Sequence, residues 1–136
     1  FMADLAEAGP VPILIIQVGT PGGLNDLSGW HERIQRTQQG IVDVQRTLDN
    51  DKLVVLGDFA APRSFQGLSQ TLNSTRLLEA DLPASWPASL GGAPLPGLHA
   101  LDRLWFGSRW RHEKSRRVRV LTQPRSLILS DLQPAL

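Results

Sequence analysis

Leu53-Val54-Val55-Leu56-Gly57-Asp58-Phe59 places four aliphatic residues, two of them β-branched, directly before a glycine and an aspartate. Such a short apolar run, bounded by turn residues, reads as a strand buried on both faces. A second run of this kind, Pro12-Ile-Leu-Ile-Ile-Gln-Val18, lies upstream between proline and glycine and reads as a central strand. Between the two, Trp30, Ile34, Thr37, Ile41, Val44 and Leu48 recur every three or four residues, the period of an amphipathic helix. Ser28 stands as its N-cap and Asp49-Asn50-Asp51 as its end. Gly40 falls inside the helix and points to a kink or a close contact there. Strand, helix and strand make a βαβ-like unit whose crossover helix covers one sheet face.

Downstream, Ser64 to Leu72 reads as a short helix with Phe65, Leu68 and Leu72 on one side and Ser64 as its cap. Residues 83–97 carry four prolines and three glycines, which predicts an irregular loop anchored by Trp86. Leu101–Phe106, Arg117–Leu121 and Leu127–Leu129 are strand candidates. In the second, Val118 and Val120 alternate with arginines, which predicts one solvated face. The expected class is α/β with a mixed sheet, in one domain spanning residues 1–136.

Composition narrows the function classes. The chain has 41% hydrophobic and 20% charged residues, ordinary values for a globular protein, and no apolar run near the roughly 20 residues of a membrane span. It has no cysteine, which excludes disulfides and thiolate metal sites and leaves localisation open. It begins Phe1-Met2, so residue 1 is expected to be either an added residue or part of a chain that continues upstream. The net charge is +1, yet eight of the 14 basic residues lie between Arg103 and Arg125. There Arg109, Arg111, Lys114, Arg116, Arg117 and Arg119 are interleaved with Trp105 and Trp110. That pattern suits either a solvated hairpin or contact with phosphates and bases. His31, His99 and His112 have no ligand-like spacing and read as surface residues.

Three motifs in order carry a resemblance. Leu53 to Phe59, continued by Ala61-Pro62-Arg63-Ser64-Phe65, resembles a strand ending in Gly-Asp-Phe-Asn. Leu101-Asp102-Arg103-Leu104, ending in Gly107-Ser108 and preceded by Ser85-Trp86-Pro87, resembles an Ile-Asp-His/Tyr-Ile strand with its serine loop. Ser130-Asp131-Leu132-Gln133-Pro134 resembles a terminal Ser-Asp-His-X-Pro motif. Together they resemble the C-terminal half of the endonuclease/exonuclease/phosphatase superfamily, metal-dependent phosphodiesterases with a DNase-like fold.

The resemblance implies one sheet with helices on its outer face, half of a four-layer α/β/β/α sandwich. It implies that Asp58 orients the attacking water, that Asp102 holds a histidine, and that Asp131 sits near a magnesium or manganese ion. Three positions depart from it: Ala60 replaces the asparagine, Leu132 the histidine, and Gly19 the histidine of a His-Thr pair. Losing one preorganised donor costs about 10²–10³ in rate. The first expectation is therefore a catalytically impaired domain with a structural or interaction role, with Asp58, Asp102 and Asp131 as remnants on one rim and no cofactor for the chain as it stands. The alternatives are a metal-dependent phosphodiester hydrolase completed by upstream sequence or a partner chain, and a nucleic-acid binder using residues 103–125. Arg103, Arg109, Arg111 and Trp110 are the candidate substrate-binding residues. The family half fold leaves an apolar inner sheet face, to be covered by an upstream half or by a second copy in a homodimer.

Overall fold

The computed structural model describes residues 2–5, 9–18, 26–59, 76–86, 89–90, 93–94, 101–119 and 126–135. The strand of the opening motif, β3 (Val54–Asp58), lies at the centre of a five-stranded sheet. On one side it runs parallel to β2 (Gly9–Gln17), in register from Ile13↔Val54 to Gln17↔Asp58. The helix α1 (Leu27–Gln45) connects them. On its other side β3 pairs antiparallel with β7 (Asp102–Phe106), so that Asp58 and Asp102 are direct partners. β1 (Met2–Leu5) and β4 (Leu78–Glu79) form the sheet edges. The chain is thus α/β with a mixed sheet, as its periodicity implies. No helix among the described residues is long and apolar enough to cross a membrane.

Alternation along the strands sorts their side chains into two cores. Val18, Leu53, Val55, Phe59 and Trp105 pack with Trp30, Ile34 and Ile41 of α1 on one face. Val11, Ile13, Val54, Leu56, Leu104 and Phe106 form the other, inner face. Onto that inner face folds a C-terminal hairpin of β8 (Trp110–Arg119) and β9 (Ser126–Pro134), whose Trp110, Ile128 and Leu132 join the second core. The layers are helix, sheet and hairpin. The inner face expected to lie bare is therefore covered over much of its area by the chain's own hairpin. That cover does not reach Ile15, which is 64% exposed, so β2 is not buried on both faces along its whole length.

Helix α1 follows its pattern, with Trp30, Ile34, Ile41 and Gln45 buried, but its ends differ. Asp26, not Ser28, is the N-cap and makes no side-chain capping bond. Its carboxylate instead accepts from Arg33 at 2.9 Å. The last turn closes at Gln45, ahead of Asp49, and Leu48 lies beyond it. Gly40 is exposed, and a Cβ there would meet nothing within 4 Å, so neither close packing nor a neighbour explains the glycine. Gly40→Ala is expected to stabilise the fold by about 0.5–1 kcal/mol through helix propensity. A urea midpoint that fails to rise would refute this.

Three loop and strand expectations are modified. Within residues 83–97 two short strands, β5 (Ser89–Leu90) and β6 (Ala93–Pro94), pair antiparallel, Ser89 with Pro94 and Leu90 with Ala93. Trp86 is exposed, while Ser85 beside it is buried. In β8 the alternation has the opposite phase: Val118 faces outward, while Arg117 is half-buried and donates to the Ala84 carbonyl at 3.4 Å. A β-bulge between His112 and Lys114 sets this phase by adding one residue to the strand. The helix expected over Ser64–Leu72 lies outside the described residues, as do Val120 and Leu121.

Candidate functional site

A cavity of about 510 Å³ separates the inner sheet face from the hairpin. Val11, Ile13, Val54, Leu56 and Leu104 form its floor, and Ile128 and Leu132 of β9 form its roof. Asp58 and Asp102 belong to the same lining, both half-buried. As direct partners on one sheet face, they bring two carboxylates side by side, an arrangement that costs energy unless something offsets the repulsion.

The roof also carries polar groups. Ser126 is 4% exposed, lines the cavity, and its hydroxyl has no hydrogen-bond partner among the described residues. Its backbone N–H donates to the Ser85 carbonyl at 3.0 Å, which fixes the start of β9. Ser130, also in the lining, shares a 2.6 Å hydrogen bond with Ser115, and Ser115 lies 2.8 Å from Nε2 of His112. A hydrogen-bonded chain therefore runs from the cavity wall into the hairpin, with the His112 ring against Phe106 at 6.3 Å.

Sequence spacing places His112 on the surface and gives Ser115 and Ser130 no role. In a regular strand residues three apart face opposite sides, and only the bulge brings His112 and Ser115 to the same side. His31 is exposed on α1, edge-on to Trp30, and His99 lies outside the described residues.

Asp131, expected beside the other two aspartates, is directed elsewhere. It alternates with Ser130 and Leu132, so it points outward, 59% exposed, and lies 3.8 Å from the Lys114 ammonium. An ion pair so exposed contributes about 0–1 kcal/mol. Leu132, at the position of the histidine in the resembling motif, faces the cavity and offers no donor. Ala60 and Gly19 lie outside the described residues.

The four candidate substrate-binding residues also separate. Arg103 has a side chain only 1% exposed and donates to Glu79 at 2.6 Å. It alternates with Asp102 and Leu104, so its guanidinium lies on the helix side of the sheet. Trp110 is buried in the hairpin core and donates from Nε1 to the Lys52 carbonyl at 2.8 Å. With Trp105 and Trp110 both buried, neither indole can stack on a base. Arg109 and Arg111 are exposed, and Arg111 pairs with Glu113 at 2.6 Å.

The donors do not fit the magnesium or manganese ion that the resemblance implies. Magnesium commonly takes one or two carboxylates together with waters and substrate phosphates, which requires oxygen-rich surroundings. Here the residue expected at the metal points away, and the wall beside Asp58 and Asp102 is largely hydrocarbon. Among the described residues no group of three or more potential metal-binding side chains occurs. No family model matches the chain, and no curated protein matches it.

Proposed function

We propose that the chain is a domain of the endonuclease/exonuclease/phosphatase type that no longer hydrolyses phosphodiesters and serves as a binding or interaction module. The observation that carries the reading is the cavity itself: Asp58 and Asp102 share its lining with Leu132, which presents hydrocarbon where the chemistry needs a donor. Phosphodiester hydrolysis depends on cations and N–H donors aimed at developing negative charge. Arg103 borders the cavity, but its guanidinium lies on the helix side of the sheet and donates to Glu79. A phosphate in this cavity would meet the Asp58 and Asp102 carboxylates.

The test is a phosphodiesterase assay with bis(4-nitrophenyl) phosphate and with plasmid DNA, in magnesium and in manganese, on the longest natural chain. No turnover above buffer is expected. Turnover that disappears in Asp58→Asn would overturn the reading and favour a hydrolase completed by residues elsewhere.

A further inference from the structure

The geometry points to the cavity beneath the hairpin as a binding site for a small amphipathic cation, an ammonium group carried on an aliphatic or aryl body. This deepens the reading of the domain as a binding module and rests on it in naming the ligand class of the same site.

Three observations converge. The volume of about 510 Å³ lies in the range of ligand pockets, roughly 300–1,000 Å³, and the apolar floor and roof suit a hydrocarbon body. Asp58 and Asp102 add two carboxylates to that lining, and the Asp102 carboxylate can accept from an ammonium group placed beside it. Ser126, 96% buried by its 4% exposure, supplies a hydroxyl that has no partner among the described residues and can accept from an N–H. Buried hydroxyls without partners are costly, so a ligand that completes this one gains specificity there. A carboxylate or phosphate ligand would be repelled by the same pair. A bare divalent ion would leave the apolar volume unfilled.

The test titrates the full chain with three probes of one shape, 4-phenylbutylammonium, 4-phenylbutanol and 4-phenylbutyrate. Heat is followed by calorimetry, and the fluorescence of Trp110, which lines the cavity, reports occupancy. The ammonium is expected to saturate and to bind about tenfold or more tighter than the alcohol, the carboxylate weakest of all. Asp102→Asn should bring the ammonium down to the affinity of the alcohol and leave the alcohol unchanged. Ser126→Ala should weaken the ammonium by about threefold or more.

Circular dichroism checks that the variants fold, and the probe series on the unmodified chain decides the matter if they do not. Equal affinities for the three probes, absence of saturation by the ammonium, or saturation by magnesium chloride alone with displacement of the ammonium would each overturn the inference. Phosphodiester turnover in the separate assay would overturn the proposed function while the charge preference among probes is still read independently. Absence of both turnover and charge preference would sink this inference alone.

Discussion

Glu79→Ala is expected to lower the unfolding free energy by about 3–5 kcal/mol, among the largest single-residue losses in this fold. Glu79 sits in the edge strand β4, opposite Trp105, and its carboxylate accepts from Arg103 at 2.6 Å. The side chains are 1% and 15% exposed, so removing the acid leaves a guanidinium charge inside the sheet-helix layer with little access to water. Replacing both partners, as in Arg103→Met with Glu79→Leu, is expected to cost much less than Glu79→Ala alone, because no charge then remains to be solvated. Urea unfolding of Glu79→Ala, of the Arg103→Met and Glu79→Leu single variants and of their double variant closes the cycle. A loss below about 1 kcal/mol in Glu79→Ala would mean that the other neighbours of Arg103 hold its charge unaided.

Trp110→Ala is expected to cost a similar amount, about 3–5 kcal/mol. Trp110 begins β8 and is 5% exposed, and its ring fastens the hairpin to the inner sheet face. Its indole N–H also ties that strand to the Lys52 carbonyl. Trp110→Phe separates the contributions: the ring contact stays, the hydrogen bond goes, and the loss should shrink to about 1–2 kcal/mol. Because Trp110 also lines the cavity, alanine should weaken every probe of the cavity together, charged and neutral alike. Unchanged probe binding in a folded Trp110→Ala protein would show that the hairpin does not depend on this side chain for its seat.

The parts of the fold legible in the sequence are those with a strong period. Leu53 to Phe59 and Pro12 to Val18 read as strands because aliphatic runs between turn residues have few other uses, and the α1 stripe from Trp30 to Ile41 reads as a helix face. The pairing of Asp58 with Asp102 depends on an antiparallel register between segments far apart in sequence, which spacing alone does not give. The hairpin was the harder case. Its arginines suggest a solvated hairpin or a phosphate-binding strip, whereas Trp110, Ile128 and Leu132 turn one side into core.

The bulge near His112 has no composition of its own, so the phase of β8 was not readable and neither was the His112, Ser115 and Ser130 chain. Asp131 turns away from the cavity for a related reason. A motif fixes neighbours in sequence, but in a continuous strand the neighbours of an inward leucine face outward.

The layer that closes the inner face is made of strands that follow β2 and β3 by many residues, and this sets an order of events during biosynthesis. β2 and β3 leave the ribosome well before Ser126, so at roughly 5–20 residues per second their apolar inner side stays wet for several seconds. Over that interval the nascent polypeptide offers other chains an adhesive surface. Termination between β3 and β9 would make the adhesion permanent, giving insoluble product from a polypeptide whose central strands are already made.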